Sequence, residues 1–424
     1  MIRLAIVTSH PIQYNAPLFR EVARQPGLAV RVFYCWQGPA GSMDPQFGRP
    51  VAWDLPLLEG YDHVLVPNQA ADPGTHHFGG LDNPGMVAAI QDWGADVLLV
   101  YGWAHRTLLK VLRRFHGRRP VLFRGDSNLH QGGGFHSHHR RRMPGGGLLR
   151  RLALRWILSH VDGAFPVGVL NRAYYQTHGL QPEQLYWVPH SIDDRRFADQ
   201  DTTLTAQAAD LRHSLGIGDQ ATVLLFAGKL VPWKDPDLLL EVTLELLEDH
   251  PDDLALLFVG DGERRSALEQ RAGGRRGIHF LAFQNQTAMP RIYRSGDLLV
   301  LPSWHETWGL AVNEAMACGR AAVVSDQVGC QPDLVIPGQT GAVFHQGDAG
   351  DLRRVLRPWI GQRTQALALG NQARRHSADW SMDRAARRLA WGIGHFVRHG
   401  VMPKEGEEPP HTADAVTGQA DDRK

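Results

Sequence analysis

The sequence predicts an α/β protein with two doubly wound halves, each a parallel sheet covered by helices on both faces. Short, wholly apolar segments alternate with helix-like segments twice along the chain. Continuous apolarity is typical of strands that are buried on both faces of a parallel sheet. Between the two series lies Val188–Phe197, where proline and acidic residues occur without apolar periodicity. This segment therefore indicates a hinge between two domains.

The first half contains seven strand candidates. They are Leu4–Thr8, Val30–Cys35, His63–Val66, Val97–Tyr101, Val121–Arg124, Ala164–Val167 and Tyr186–Val188. Helices are predicted at Asn15–Arg24, Met86–Trp93, Thr107–Phe115, Leu148–Ser159 and Asn171–His178. Asn15 is the expected N-cap of the first helix. The first strand-to-helix turn, Ser9–Tyr14, is polar and aromatic rather than glycine-rich, so we do not expect this half to hold a nucleotide.

The second half repeats the alternation. Its predicted strands are Val223–Ala227, Leu254–Val259, Ile278–Phe283, Leu298–Pro302 and Ala321–Val324. Its predicted helices are Pro236–Glu248, capped by Asp235, then Arg264–Arg271 and Thr287–Tyr293. A fourth helix should begin near Trp308–Leu310 and stop at Gly319. We therefore predict a first domain at 1–189, a hinge at 190–198 and a second domain at 199–381. A further helix is expected at 382–398, and the polar tail 403–424 is expected to be disordered.

Composition narrows the class of protein. A chain of 424 residues with 43% hydrophobic residues can bury more than one core. A formal net charge of +1 provides no global field toward nucleic acid. Three widely spaced cysteines, Cys35, Cys318 and Cys330, favour a reducing compartment and offer no metal cage. The first apolar run is too short for a secretory signal, and none approaches the ~20 residues of a spanning helix. We expect a cytoplasmic protein.

The stretch Asp297–Asp326 combines two carboxylates with a helix N-terminus. Glu306 lies in the loop before the helix, and Glu314 follows about one turn inside it. Both side chains can border one crevice at the carboxyl ends of the strands. The alternative is an ordinary surface loop with two solvated glutamates. Trp304 and Trp308 beside the glutamates favour a site.

The start of this helix offers an anion site. The amides of Gly309, Leu310 and Ala311 have no partner inside the helix, and they should point into the crevice. Helix N-termini attract phosphate through such donors and through the macrodipole. A phosphate site flanked by two acids that can bind hydroxyl groups suggests a sugar nucleotide.

The run HETWGLAVNEAMACGRAAVVSD closely resembles the E-x7-E signature of family 4 glycosyltransferases. These are retaining enzymes in which two Rossmann-like domains face a central cleft, the GT-B fold. The resemblance is strong from the hinge to about Leu389 and weak in the first domain. It implies transfer of a hexose-type sugar from a nucleoside diphosphate sugar to a glycan or lipid-linked glycan, as in polysaccharide biosynthesis. It also implies that the first domain binds the acceptor and that helix 382–398 crosses back onto it.

The resemblance assigns the donor-binding residues. Lys229 and Lys234 match the two cations that grip the diphosphate, although the first is usually arginine. Glu314 would accept from the ribose hydroxyls and Glu306 from the transferred sugar, and Phe283 matches the position beside the base. Two loop lysines are otherwise usually solvated. No Asp-x-Asp follows a strand, so we expect no metal and no cofactor other than the donor.

One departure concerns the sugar's reacting face. Many members carry a histidine at the end of a first-domain strand, but Val121–Phe123 is followed by Arg124 and Asp126. We therefore name these two as catalytic candidates beside Glu306. His10 and His105 stand at other strand ends and are weaker candidates.

Residues 136–156 allow two interpretations. Three consecutive arginines precede a helix whose leucines share one face opposite further arginines. Such a helix can lie on an anionic membrane, which would make the protein peripheral at its inner face. It can equally be an ordinary packed helix after a loop. A metal site at His136, His138 and His139 lacks an acidic or cysteine partner.

Two other functions fit the same architecture. A sugar-nucleotide epimerase or a phosphorylase-like enzyme would also use two Rossmann-like domains, although no segment resembles a pyridoxal lysine site. A non-catalytic sensor would bind the nucleotide sugar without turnover. The sequence leaves open the base, the sugar, the acceptor, the linkage and the oligomeric state.

Overall fold

The computed structural model describes residues 1–38, 43–44, 49–50, 52–130, 146–198 and 202–409, with two parallel six-stranded sheets in two domains. The hinge predicted at 190–198 includes a short helix, Asp194–Phe197, between the sheets. The histidine and arginine cluster expected at 136–142 lies outside the described residues.

The first domain has these strands: β1 Ile2–Thr8, β2 Leu28–Tyr34, β3 Met43–Asp44, β4 Arg49–Pro50, β5 Asp62–Leu65, β6 Val97–Tyr101, β7 Val121–Arg124 and β8 Gly163–Ala164. Its helices and the hinge helix are α1 Asn15–Ala23, α2 Met86–Trp93, α3 Arg106–Phe115, α4 Gly146–Leu158, α5 Val169–Thr177 and α6 Asp194–Phe197. The sheet order is β5-β2-β1-β6-β7-β8, and β3 and β4 form a separate antiparallel pair.

The second domain has these strands: β9 Thr222–Ala227, β10 Leu254–Val259, β11 Ile278–Leu281, β12 Leu298–Leu301, β13 Ala321–Ser325 and β14 Gly341–Phe344. Helices α7 to α11 are Thr203–Ser214, Pro236–Asp249, Arg265–Ala272, Met289–Ser295 and Leu310–Ala317. Helices α12 to α15 are Gln331–Leu334, Ala349–Leu356, Arg363–Ser377 and Met382–His399. The sheet order is β11-β10-β9-β12-β13-β14.

Both six-stranded sheets share one topology. The strand order reverses between β1 and β6 in the first sheet and between β9 and β12 in the second. In the second sheet the switch lies between β9 and β12, where Leu224 pairs with Leu298 and Leu225 with Leu299. Loops leave the carboxyl ends of these two strands on opposite sides of the sheet. They open a crevice, and ligands of doubly wound sheets bind at this point. The topology thus predicts where the site should lie.

Burial confirms the predicted two-sided sheets. All six residues of β9 and all six of β10 are buried. Leu225 and Leu257 belong to the core on one face, whereas Leu224 and Leu256 belong to the core on the other. The first sheet is likewise covered on both faces. Cys35, Cys318 and Cys330 are buried and unpaired.

The last helix ties the domains together, as the resemblance implied. Helix α15 leaves the second domain and packs on α1 of the first, where Leu389 and Ile393 are fully buried. The chain then continues in contact with the first domain. Met402 is buried in the same core, and Tyr186 donates its hydroxyl to the Glu407 carbonyl, 2.9 Å away. The expected disorder from residue 403 is therefore wrong up to residue 409, and 410–424 lie outside the described residues.

Several predicted boundaries change. Tyr186–Val188 is not a strand, although the Tyr186 amide still donates to the Ala164 carbonyl of β8. Strand β11 ends at Leu281, so Phe283 lies in the following loop. Asn15 is the first helical residue of α1 rather than its cap. Among the described residues, no helix has the length and apolar character needed to cross a membrane.

Candidate functional site

The crevice of the second domain is formed by the loops after β9, β10 and β12. Gly260 and Gly262, after β10, lie directly against the loop after β9. A Cβ at Gly260 would come within 2.0 Å of the Gly228 carbonyl oxygen, and one at Gly262 within 2.4 Å of the Leu230 oxygen. Both glycines have φ angles that other residues rarely adopt, +141° and +155°. Glycine is therefore required there to hold the loop that carries Lys229 and Lys234.

Lys234 connects the loop after β9 to the loop after β12. Its Nζ lies 3.0 Å from Glu306 Oε2, and the two side chains are only 20% and 18% exposed. The lysine side chain also folds back over Gly228, since a Cβ there would lie 3.4 Å from Nζ. The structure thus brings together two residues that the sequence assigned to different parts of the donor. Lys229 lies half-buried in the same loop.

Helix α11 begins beside Glu306. Gly309 takes φ +100° just before the first turn, and its carbonyl accepts from the Val312 amide at 2.8 Å. Among the hydrogen bonds of the described residues, none has the amide of Gly309, Leu310 or Ala311 as its donor. These three N–H groups and the positive end of the helix dipole are therefore available to an anion.

Glu314 is the buried carboxylate of the site, with only 2% of the residue exposed. The Tyr293 hydroxyl donates to its Oε2 at 2.5 Å. Burial raises the pKa of Glu314 to about 7, against smaller lowering effects from Tyr293, Arg196 and Tyr14. Its Oε1 has no hydrogen-bond partner of normal geometry among the described residues. The Tyr14 hydroxyl also hydrogen-bonds the Glu314 carboxylate. A ligand hydroxyl at Oε1 would add a donor of normal geometry.

The first domain closes over this crevice. Asn128 donates its side-chain amide to the Thr307 carbonyl, 2.9 Å away. Asp126 hydrogen-bonds the Thr307 hydroxyl. Burial raises the pKa of Asp126, and the Glu306 carboxylate adds to the rise. Asp126 and Glu306 therefore lie near each other on opposite walls of the cleft.

Arg124, the other catalytic candidate of the first domain, has a different position. It is 3% exposed, and its Nη1 and Nη2 donate to the Val188 and Pro189 carbonyls at 3.0 and 2.9 Å. Burial lowers its pKa. Its guanidinium thus anchors the start of the hinge, which is a positioning contact rather than a contact with substrate.

The remaining candidates flank the crevice. The Phe283 amide donates to Asp261 Oδ2 at 3.1 Å, and the Phe283 ring lies 6.1 Å from that of Trp53 in the first domain. His10 contacts Trp36 with ring centroids 5.8 Å apart. Burial lowers the pKa of His10 to about 4, with a smaller effect from His105, so His10 is neutral at pH 7.

The sequence did not indicate the two tyrosines beside Glu314 or the position of Trp308. Tyr14 follows β1, whereas Tyr293 lies in α10, and only the fold brings both to one carboxylate. Trp308, one of the two tryptophans that favoured a site, is 2% exposed and donates to Asn313 Oδ1 at 2.8 Å. Its ring packs against His190, 5.6 Å away, so Trp308 belongs to the contact between the domains.

A separate cluster of metal-ligating residues lies after β5. Asp72, His76 and His77 are exposed, and each places a ligand atom within 4.8 Å of the others. The Gly79 amide donates to His77 Nδ1 at 3.1 Å, so the proton of the neutral ring lies on Nε2, which faces Asp72. His76 Nε2 lies 2.9 Å from the Asp72 carboxylate and His77 Nε2 lies 3.0 Å from the Asp72 backbone carbonyl, so hydrogen bonds account for this arrangement.

Part of the chain is similar in sequence to known glycosyltransferases. Residues 207–376 match the model of glycosyl transferases group 1. D-inositol 3-phosphate glycosyltransferase of Geodermatophilus obscurus is 35% identical over 219 residues, 49% of this chain and 46% of that protein. The enzyme of the same name from Corynebacterium jeikeium is 31% identical over 48% of this chain and 49% of its own length. The chain spans about half the length of the curated relatives it matches.

Solved structures extend the similarity over both domains. Sucrose-phosphate synthase of Thermosynechococcus elongatus aligns with a TM-score of 0.70 and 18% identity, covering 94% of this chain and 100% of that one. Anabaena HepE, solved with UDP, aligns with a TM-score of 0.68 and 17% identity, covering 93% and 100%. The chain has the GT-B fold. In this fold, the loops after β9, β10 and β12 lie on the side of the second domain that faces the cleft.

Proposed function

We propose that the protein is a retaining glycosyltransferase that moves a hexose-type sugar from a nucleoside diphosphate sugar to a glycan or lipid-linked glycan. The proposal rests mainly on three backbone N–H groups at the start of α11 that donate no hydrogen bond among the described residues. They lie next to the Lys234–Glu306 ion pair. The matching glycosyl transferases group 1 model and the curated relatives support the reaction class. The HepE structures, solved with UDP and with UDP-glucose, support the donor class.

The diphosphate binds at the helix N-terminus. The amides of residues 309–311 donate to phosphate oxygens, and Lys229 and Lys234 supply positive charge. An ammonium acts as a point charge rather than as a bidentate donor, so the amides provide the directional bonds. When the glycosidic bond breaks, negative charge accumulates on the leaving diphosphate. Donors that are already in place stabilise this charge without reorganisation.

The two glutamates bind hydroxyl groups. Glu314 Oε1 is buried and has no donor of normal geometry among the described residues, and we assign it to the ribose hydroxyls. Glu306 accepts from the transferred sugar, and its ion pair with Lys234 fixes it beside the diphosphate. Glu306 thus contacts the transferred sugar and, through Lys234, the leaving diphosphate.

Retention of the sugar's anomeric configuration does not require a protein nucleophile in this proposal. Retaining glycosidases use two close carboxylates, one of which forms a covalent intermediate. We assign instead a reaction on one face of the sugar, in which the acceptor hydroxyl attacks from the side that the diphosphate leaves. The leaving phosphate then takes the acceptor's proton. Asp126, across the cleft from Glu306, contacts the sugar rather than forming a bond to it.

The acceptor lies against the first domain, beside His10 and His105 at the ends of β1 and β6. His10 is neutral at pH 7, so it recognises hydroxyl groups by hydrogen bonding rather than by charge. We place the reaction in the cytoplasm, with no metal ion or further cofactor required.

A test of the reaction uses Glu306→Gln. The variant keeps the size of the side chain but removes its charge, and we expect transfer to fall about 100-fold because transition-state interactions are lost. Free nucleoside diphosphate is measured with and without acceptor, and Glu248→Gln, an exposed carboxylate on α8, is the control. Wild-type turnover by Glu306→Gln would overturn the role of Glu306.

The same assay separates the other functions of this architecture. Transfer releases nucleoside diphosphate only when an acceptor consumes the sugar. An epimerase would convert the donor without an acceptor and without lasting release. A sensor would bind the nucleotide and show no turnover with any acceptor, and either result would overturn the proposal.

A further inference from the structure

Helix α4 is apolar on two opposite faces. Leu154, Ile157 and Leu158 are 2 to 6% exposed and belong to the core of the first domain. On the other face, a second set of large apolar side chains is directed outward. Their exposed fractions are 64% for Leu148, 71% for Leu149, 54% for Leu152 and 47% for Trp156. A helix on the surface of a globular domain needs only one apolar face, so the outer face requires a separate explanation.

The spacing makes the outer face continuous. Residues 148, 152 and 156 are four apart and so lie in one row along the helix. Leu149 lies beside this row, between its first two members. These four side chains, which we call the outer row, form about two turns of uninterrupted apolar surface. Isolated exposed leucines are common, but a row of this length is not.

Basic side chains border the outer row. Arg151 and Arg155 are exposed on one flank, and within the described part of the chain neither has a carboxylate at ion-pair distance. Arg113, at the end of α3, places its guanidinium 5.4 Å from the centre of the Trp156 ring. Arg114 is exposed next to it. Helix α4 contains no acidic residue. The local charge is therefore positive although the whole chain carries only +1.

We propose that the outer row is a docking face for an anionic lipid bilayer. Leucine and tryptophan insert between the headgroups while the arginines keep their charged ends at the lipid phosphates. Tryptophan is favoured at this depth because its ring is apolar and its N–H can reach water. A protein partner would account for the leucines, but it would not by itself require several unpaired arginines. The proposal does not depend on the proposed reaction.

Docking would orient the molecule. Helix α4 belongs to the first domain and packs into the same core as α5 and β7. The loop after β7 carries Asp126 to the cleft. A bilayer bound at α4 would therefore hold the first domain at the membrane surface, while the second domain closes over the cleft. Substrates anchored in lipid would then reach the domain that we assign to the acceptor.

The test is cosedimentation of the full-length protein with vesicles of phosphatidylcholine alone and with added phosphatidylglycerol. We expect binding that requires the anionic lipid and weakens as salt rises from 0.1 to 0.5 M. Leu148→Asn with Leu152→Asn should lower the partition coefficient about tenfold, because less apolar area is buried. Arg151→Gln with Arg155→Gln should lower it about 25-fold, or about fivefold per cation.

Matched controls make the result specific. Val401→Asn changes an exposed apolar residue elsewhere, and Arg275→Gln with Arg276→Gln removes two exposed cations of the second domain. Both should bind as the wild type does. The folding of each variant is checked by thermal unfolding, which changes at exposed positions should leave nearly unchanged. Vesicle binding that the outer-row variants leave intact would overturn the proposal. The proposal would also be overturned if the wild type were a dimer that does not bind vesicles and the Leu148→Asn, Leu152→Asn double variant were a monomer. A second copy of the chain would then cover the face.

Discussion

At the scale of single residues, the two glutamates of one motif have different physical states. Glu306 is half-buried and paired with Lys234, whereas Glu314 is buried beside two tyrosines, and its pKa is raised to about 7. The spacing of the motif predicted that both border one crevice, which stays a prediction. It did not predict this difference, because Tyr293 and Tyr14 come from other elements.

The raised pKa of Glu314 has a consequence for stability. An unfolded glutamate releases its proton near pH 4.5, while the folded protein keeps it until about pH 7. The folded state therefore binds more protons in this window, and the free energy of unfolding falls as pH rises through it. The loss is on the order of 3 kcal/mol. Glu314→Gln has no proton to release and should not show this loss.

Urea unfolding of the wild type and of Glu314→Gln at pH 4.5 and pH 8 checks this. Other groups contribute equally to both proteins, so the difference between them isolates Glu314. The variant should gain stability relative to the wild type as pH rises. A difference that stays constant would show that Glu314 titrates at its ordinary pKa.

Arg124 marks the limit of assignment by position. It stands where a strand ends at the cleft, which made it a catalytic candidate, yet its guanidinium binds hinge carbonyls. Asp126, two residues later, lies in the loop beyond the strand and approaches Glu306. A sequence identifies the loop but not which of its side chains turns inward.

At the scale of elements, buried strands were the most predictable part of the chain. β6, β7 and β10 begin and end at the predicted residues, because continuous apolar runs have few other uses in an α/β domain. Helices α7, α13 and α14 were not predicted. The apolar stripe of α7 is weak, and Ala208 is one of only two buried residues in it. Such helices depend on contacts from elsewhere in the fold.

The packing of loops after β9 and β10 gives a prediction for Gly260→Ala. The new Cβ would meet the Gly228 carbonyl oxygen, a backbone atom that cannot move aside, at 2.0 Å. We expect a loss of about 2–4 kcal/mol of unfolding free energy, with weaker nucleotide binding as the lysine loop shifts.

Gly274→Ala is the control for Gly260→Ala. Gly274 also has a positive φ, +70°, but nothing lies within 4 Å of the added Cβ. Its cost should be about 1 kcal/mol, with nucleotide binding unchanged. Urea unfolding and calorimetry measure both effects. Equal losses for the two variants would show that backbone conformation matters and the contact between the loops does not.

The segment after α15 provides another test at this scale. Polar composition predicted disorder from residue 403, but Met402 is 4% exposed and contacts the first-domain core. Ion pairs then hold the segment, including Glu408 with Arg388 at 2.6 Å. Composition missed these contacts because a few anchoring residues are enough to order a short polar segment.

Met402→Ala should therefore lower the free energy of unfolding by about 2–4 kcal/mol, as for other buried side chains cut to alanine. The adjacent Val401 is 54% exposed, and Val401→Ala should change it by less than about 0.5 kcal/mol. Thermal unfolding of the two variants is the measurement. A harmless Met402→Ala would mean that the segment is not packed in solution.

At the scale of the whole molecule, the domains meet across the cleft. The Asn285 amide donates to the Ala52 carbonyl at 2.7 Å, and the Val169 amide donates to Asp333 Oδ2 at 3.0 Å. The partners in these contacts lie more than 150 residues apart in the chain. The sequence predicted two domains and the crossing helix, but contacts between distant surface loops carry no local pattern.

The proposed reaction requires the diphosphate to bind at the start of α11. The most direct measurement is a crystal structure of the protein with a nucleoside diphosphate, chosen by a thermal-shift screen of UDP, GDP and ADP. We expect phosphate oxygens about 3 Å from the amides of residues 309–311 and from Lys234 Nζ, with a ribose hydroxyl on Glu314. A diphosphate bound in the first domain, or anywhere away from the start of α11, would contradict the account.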